Sequence, residues 1–221
     1  MKITVDKATP TVGETFVITA PKDSENDIYT WSGPALYNYS PSNSPVLTVS
    51  NCKYSNRGWY YCSKGNNACK TLIDSVFVDI KLKQETPACN LTNNYVSCSN
   101  VPSVTLTSVT MRLDPSYNGM AMVGSGANGY PGFTVLFNSY NGNFEPVDGV
   151  YITSDRQAFN LTQEYNAVSV SFQYSYFYFH CRPDQKLYVS HVNGKIQVSF
   201  CAMIFSDGTY TSTCSWKMTK L

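Results

Sequence analysis

Residues 56–62 read Asn56-Arg57-Gly58-Trp59-Tyr60-Tyr61-Cys62, a glycine-containing turn that runs into an aromatic strand. Further strand-like stretches lie on both sides of it, because apolar and polar residues alternate in 14–20 and in 76–82. Trp31 lies in the strand-like stretch 28–31 between them. Alternation with a period of two predicts strands with one buried face, so residues 1–84 are expected to form a β-domain.

The stretch resembles the D-x-G-x-Y-x-C motif of the immunoglobulin superfamily, with Asn56 in place of the aspartate. The resemblance implies an immunoglobulin-like β-sandwich in residues 1–84. It also implies that Trp31 is the core tryptophan, that Tyr60 forms the tyrosine corner, and that Cys62 points inward. Recognition through the exposed sheet or through the end loops at 22–27 and 63–67 is a further implication of the family.

The sequence departs from the family pattern at one cysteine. The strand that normally supplies the partner of Cys62 carries Ala20 instead. Cys69, across the turn at 64–67, is therefore the candidate partner of Cys62.

A polar, proline-containing stretch at 83–88 predicts a boundary, with a second domain at 85–221. This part has no second copy of the motif, but its periodicity is that of strands throughout. The stretch 167–178 places valine and aromatic side chains on one face of a single long strand. The fold class is therefore all-β, an immunoglobulin-like sandwich followed by a second, larger β-sandwich or jelly-roll-like domain.

Two hairpins are predicted in the second domain. Asn193-Gly194 is the preferred pair for a two-residue type I′ turn. Asp207-Gly208 predicts a second two-residue turn, and that register would place Cys201 directly opposite Cys214. A cross-strand disulfide between these two cysteines is therefore expected.

Eight cysteines and three N-glycosylation sequons, at Asn38, Asn90 and Asn160, favour an oxidising, extracellular environment. Three cysteines lie in the first domain and five in the second, so complete pairing requires a bridge across the boundary. The expected bridge joins Cys52 to Cys89, Cys98 or Cys181.

Charge, cysteine spacing and hydropathy argue against several classes of function. Sixteen basic and fifteen acidic residues, without a basic cluster, argue against nucleic-acid binding. No Cys-x-x-Cys pair or zinc-finger histidine spacing is present, so neither a metal nor a cofactor is expected. No apolar run is long enough to cross a bilayer, so membrane attachment is expected only through a segment outside these 221 residues.

Catalysis is not expected. The two histidines, His180 and His191, lie in a strand and beside a turn, and no hydrolase or phosphate-binding motif accompanies them. Carboxylates such as Asp148 and Asp155 could serve a glycosidase only if the fold brought them together.

Aromatic residues supply the candidate binding sites. Phe177 and Phe179 interrupt the polar face of the strand that begins at 167, which indicates either burial under a loop or an exposed contact patch. Tyr130, Tyr140 and Phe144 lie in turn-like stretches, where they could stack on a sugar.

The leading hypothesis is an extracellular ectodomain that binds a protein partner at a cell or virion surface, in adhesion, recognition or immune modulation. Homophilic binding is included in this hypothesis. The alternative is a lectin-like glycan-binding module, and a secreted glycoside hydrolase ranks third.

Overall fold

The computed structural model describes residues 1–23, 27–36, 40–42, 44–65, 72–114, 119–138, 145–155 and 166–221, with the side chains of 40–42 excepted. The protein is all-β: these residues form eighteen strands and one 3-10 turn, Tyr54–Asn56. No helix in the described ranges is long and apolar enough to cross a membrane. The chain divides into two compact units, Met1–Lys83 and Gln84–Leu221.

The first unit contains two antiparallel sheets. One has the strand order β1-β2-β5, and the other has the order β4-β3-β6-β7. The strands are β1 (Thr4–Val5), β2 (Phe16–Thr19), β3 (Ile28–Ser32), β4 (Ser40–Ser42), β5 (Val46–Val49), β6 (Gly58–Gly65) and β7 (Leu72–Val78).

The core of the first unit lies between these sheets. Phe16 on β2 and Tyr60 on β6 are fully buried, and their rings meet edge to face at 5.5 Å. Trp31 is also buried and lies opposite Cys62 in the pairing of β3 with β6. The Tyr60 hydroxyl donates to the carbonyl of Asn56 at 2.7 Å, so one side chain closes the corner between the 3-10 turn and β6.

The cysteines of the first unit do not pair as expected. Cys52 and Cys62 are buried free thiols. Cys69, the expected partner of Cys62, lies outside the described residues. Burial raises the pKa of the Cys62 thiol to about 11, the nearby Asp74 adds to the effect, and the thiol therefore stays protonated at neutral pH.

The second unit contains eleven strands. They are β8 (Tyr95–Cys98), β9 (Val104–Thr105), β10 (Ser108–Asp114), β11 (Gly119–Ser125), β12 (Gly132–Phe137), β13 (Gly149–Thr153), β14 (Ala167–Tyr174), β15 (Phe177–Cys181), β16 (Lys186–Val192), β17 (Lys195–Ser206) and β18 (Thr211–Thr219).

Hydrogen bonds join all eleven strands into one sheet, in the order β10-β11-β12-β14-β13-β16-β17-β18-β8-β9. The remaining strand, β15, pairs with both β14 and β17. Two routes therefore connect β14 to β17, one through β13 and β16 and the other through β15. The five strands on these routes form a closed circuit, which holds β15 firmly between two long strands.

An aromatic cluster fills the core of the second unit. The fully buried Trp216 on β18 lies with its ring centroid 4.2 Å from those of Phe133 and Phe200. Phe133 continues the cluster to Phe172 on β14, at 5.3 Å. Buried aromatic side chains remove large apolar areas from water, so this cluster is a main source of the unit's stability.

The predicted Asn193-Gly194 turn is confirmed. Val192 pairs with Lys195, and both turn residues have positive φ, 51° and 74°, as a type I′ turn requires.

The predicted bridge between Cys201 and Cys214 is wrong. Ser206 pairs with Thr211 rather than with Thr209, so the loop contains four residues instead of two. The same register continues to Met203, which therefore lies opposite Cys214, and the bulge between Phe200 and Met203 begins beyond this pair. The longer loop thus shifts the register on which the prediction depended.

The disulfides instead join distant parts of the second unit. Cys98 bonds to Cys214 across the paired strands β8 and β18, and Cys89 bonds to Cys201. The predicted bridge from Cys52 across the domain boundary is wrong as well, because Cys52 and Cys181 are both free thiols.

Candidate functional site

Two hairpin ends lie side by side in the second unit. The β14–β15 hairpin turns at Ser175-Tyr176, since Tyr174 pairs with Phe177. The β17–β18 hairpin turns through 207–210. Because His180 on β15 pairs with Ser206 on β17, both turns project from the same end of the sheet.

Four exposed aromatic residues lie in or next to these turns: Tyr176, Phe177, Tyr178 and Tyr210, here called the aromatic tip. Their exposed fractions are 99%, 46%, 46% and 58%. The Phe177 and Tyr210 rings, one from each hairpin, meet edge to face with centroids 5.7 Å apart. This contact joins the two hairpins at the tip, while the Tyr178 ring, 5.0 Å from His180, lies on the other face of β15.

The core supports this surface from below. Phe179, two residues after Phe177, is buried and stacks on Phe172 at 4.6 Å. Phe172 also contacts Phe205 of the second hairpin at 5.1 Å. At the side of the tip, the hydroxyls of Tyr178 and Ser171 lie 3.3 Å apart. These contacts anchor the strands beneath the exposed rings in the core, which limits the backbone entropy lost when the rings bind a partner.

The electrostatics of the tip are simple. Within 173–178 and 206–211, Asp207 is the only charged residue. Its carboxylate accepts hydrogen bonds from the backbone N–H groups of Tyr210 at 2.7 Å and Thr209 at 2.8 Å. These bonds lower the pKa of Asp207, so it is ionised at neutral pH and fixes the turn that carries Tyr210.

The structure separates the predicted binding residues. Phe177 belongs to the tip, whereas Phe179 is only 4% exposed and is part of the core. Tyr130 is 53% exposed and follows β11, and the pairing of Gly132 with Gln173 brings its loop out at the same end of the sheet as the β14–β15 turn. Tyr140 and Phe144 lie outside the described residues.

The sequence prediction missed Tyr176 and Tyr178 because 167–178 is not a single strand, and it missed Tyr210 because the loop at 207–210 has four residues rather than two. Ser175 adopts φ of 55°, and the chain reverses there without a glycine or a proline. The reversal places Phe177 and Phe179 on the same face as Phe172 and Tyr174. The aromatic run 174–179 was the signal for the tip in the sequence. It looks like one continuous strand unless the turn at Ser175 is known.

The first unit exposes a second aromatic surface, on β6 and β7. Trp59 is 51% exposed and contacts the Phe77 ring at 5.4 Å, and the Arg57 guanidinium lies 5.3 Å above the same ring. Tyr61 and Ile73 extend the surface. It lies on the exposed face of the β4-β3-β6-β7 sheet, where the immunoglobulin resemblance implies recognition.

The remaining predicted features are the glycosylation sequons and the histidines. Asn90 is exposed, as glycosylation requires, whereas Asn38 and Asn160 lie outside the described residues. His191 Nδ1 lies 2.5 Å from the Asp148 carboxylate, and its Nε2 lies 3.7 Å from Glu145, so this histidine connects two acidic residues at the surface.

The chain matches no known family profile and no curated protein sequence. Among solved structures it is similar to the three N-terminal domains of the highly immunogenic outer capsid protein (Hoc) of bacteriophage RB49, with 13% sequence identity and a TM-score of 0.31. The similarity covers 99% of this chain and 58% of that chain, so this chain spans less than two thirds of its length. Function is therefore inferred from the exposed side chains themselves.

Proposed function

We propose that this chain is a non-catalytic binding module of an extracellular or virion surface, and that its aromatic tip binds a protein partner. The observation that carries the proposal is the exposure of four aromatic rings on two hairpins anchored in the core. Tyrosine and other aromatic residues are enriched in the energetically dominant parts of protein interfaces, because one rigid side chain buries a large area and still offers a polar group.

The covalent structure supports the proposed location. Two disulfides join strands and segments that are 112 and 116 residues apart in sequence. Such bonds persist in oxidising compartments and are rare in reducing ones.

Membership of the first unit in the immunoglobulin superfamily is part of the proposal. Three observations support it: the buried Trp31, the hydrogen bond from Tyr60 to Asn56, and the division of the strands into two sheets. The inter-sheet disulfide of antibody domains is replaced here by the free Cys62 beside Trp31 and by the buried Ala20.

A binding screen tests the proposal. The chain, multimerised for avidity, is applied to an array of purified cell-surface ectodomains, itself included. The double variant Phe177→Ala/Tyr210→Ala removes the ring contact at the centre of the tip. Truncation of central interface aromatics costs about 2 kcal/mol or more, so roughly 30-fold weaker binding is expected for the double variant.

Two further variants make the screen specific. Leu113→Ala is the matched control, because Leu113 is as exposed as Phe177, at 46%, but lies on β10. Trp59→Ala tests the exposed surface of the first unit. A saturable partner that loses affinity only with the tip variant supports the proposal. A partner that loses affinity only with Trp59→Ala, or an array without any saturable binder, contradicts it.

A further inference from the structure

A cleft of about 450 Å³ lies in the second unit, in the volume range of small-ligand sites. One wall is the segment 85–92, and the floor is the outer face of β16, β17 and β18. The disulfide between Cys89 and Cys201 fixes the wall to β17, and Lys186 Nζ reaches Glu85 Oε2 at 2.5 Å. The wall is thus held covalently and by an ion pair.

The strand register places polar side chains in rows across the floor. Tyr188 pairs with Ser199, and Ser199 pairs with Lys217, so these three share one face of three adjacent strands. The neighbouring row on the same face contains Ser190 and Gln197. All five line the cleft. The apolar neighbours on these strands, such as Val198 and Trp216, point to the opposite face, into the core.

Several of these polar groups are not used by the fold. Within the described part of the chain, the side chains of Ser190, Ser199 and Lys217 make no hydrogen bond or ion pair. Ser199 is only 5% exposed, so the cleft is the route by which a partner can reach its hydroxyl. A hydroxyl that faces a cleft and has no protein partner is free to donate to and accept from a ligand.

The charge of the cleft limits the ligand further. Its lining includes two charged residues, Lys217 and Glu85, and Glu85 is already paired with Lys186. The cleft therefore offers one unpaired cation beside hydroxyl and amide groups, together with the partly apolar Tyr188. One cation suits a monoanion such as a carboxylate, whereas a phosphate dianion is typically bound by several cations or backbone N–H groups.

We propose that this cleft binds a carboxylated sugar, with the carboxylate at Lys217 and the sugar hydroxyls at Ser190, Gln197 and Ser199. This would be a second binding site, and it does not depend on the aromatic tip. Gln197 keeps an acceptor for the ligand, because its Nε2 group already donates to Thr219 Oγ1 at 2.7 Å.

The test is a titration of the full, oxidised chain, produced without N-glycosylation because Asn90 also lines the cleft. The probes are the methyl α-glycoside of N-acetylneuraminic acid, methyl β-D-glucuronide and the neutral methyl β-D-glucoside. Amide chemical shifts report binding site by site. We expect saturable shifts at Gln197, Ser199 and Lys217 with an acidic sugar, and at least roughly tenfold weaker binding of the neutral glucoside.

Variants assign the contacts. Lys217→Gln is expected to weaken binding of the acidic sugar roughly tenfold or more, and Ser199→Ala by about threefold to tenfold. Lys195→Gln, at the exposed β16–β17 turn, is the matched control and should bind like the parent chain. Phe177→Ala/Tyr210→Ala should also bind normally, which separates this site from the proposed tip function. A glycoprotein tested before and after removal of its terminal acidic sugars distinguishes a glycan source from a free sugar.

Three results would overturn the proposal. The first is the absence of saturable shifts with both acidic sugars, and the second is equal affinity for the neutral glucoside. The third is displacement by acetate at the same concentration as by the sugars, which would reduce the cleft to a generic anion site. The affinities of the parent chain for the acidic and the neutral sugars test the proposal even if Lys217→Gln does not fold.

Discussion

The two units of the molecule are both built from strands, but they are closed by different means. In the described part of the first unit, both cysteines are free, and its corner is closed by the hydrogen bond from Tyr60 to Asn56. The second unit is closed by two disulfides with sequence separations of 112 and 116 residues. The described part of the first unit is therefore held by non-covalent contacts, whereas the second unit also has covalent links between distant segments.

The disulfides give the largest expected difference between the units. Removing both disulfides by changing their four cysteines to alanine should cost the second unit about 4 kcal/mol or more, because the Cys89–Cys201 bond alone closes a loop of more than 100 residues in the unfolded chain. Hydrogen exchange followed by mass spectrometry should show faster exchange in β17 and β18 and unchanged exchange in β3 and β6. Cys181→Ala, a buried free thiol in the same unit, is the control and should cost about 1 kcal/mol. Equal loss of protection in both units would contradict the comparison.

The next largest effect separates two phenylalanines on one strand. Phe179→Ala should destabilise the second unit by about 3 to 4 kcal/mol, because it removes a buried ring that stacks on Phe172. Phe177→Ala should cost less than about 1 kcal/mol, since this ring is half exposed. Urea unfolding of the two variants, compared with the parent chain, measures the difference. Similar losses would mean that Phe177 is a core residue rather than part of a binding surface.

These phenylalanines also show what the sequence could and could not predict. The all-β fold class and the Asn193-Gly194 turn followed from local periodicity and turn chemistry, which are encoded within a few residues. The turn at Ser175 is a tight hairpin turn without a glycine or a proline, and the bulge after Phe200 arises in the pairing of the long strands β17 and β18, also without either residue. The tip, the disulfide partners and the polar rows of the cleft all depend on that register, so sequence reasoning found Phe177 but not Tyr176, Tyr178 or Tyr210.

A smaller effect is expected at the corner of the first unit. Tyr60→Phe keeps the buried ring but removes the 2.7 Å hydrogen bond to Asn56. The loss should be about 1 to 1.5 kcal/mol, because the Asn56 carbonyl loses its partner. Hydrogen exchange should quicken around residues 54–62 and remain unchanged in the second unit. Tyr61→Phe, at an exposed position, is the matched control. An equal loss of stability in both variants would mean that the hydrogen bond from Tyr60 to Asn56 does not stabilise the corner.

The smallest effect concerns two of the three buried free thiols, Cys62 in the first unit and Cys181 in the second. Burial raises the pKa of Cys62 and of Cys181 to about 11. At pH 8 only roughly one thiol in a thousand is then ionised, so iodoacetamide should leave both cysteines unmodified in the native protein and modify both after unfolding. Mass spectrometry of alkylated peptides measures this. Rapid native-state labelling of either cysteine would show that its unit opens at that site.

Hydroxyl-radical footprinting of the chain, with and without a partner found on the ectodomain array, tests whether the aromatic tip is the binding surface. The aromatic tip should react readily in the free chain and become protected in the complex, with Tyr176, Phe177 and Tyr210 changing together. Trp59 and Tyr61 should keep their reactivity. Protection of Trp59 and Tyr61 with an unchanged tip would move the binding surface to the first unit and contradict the account.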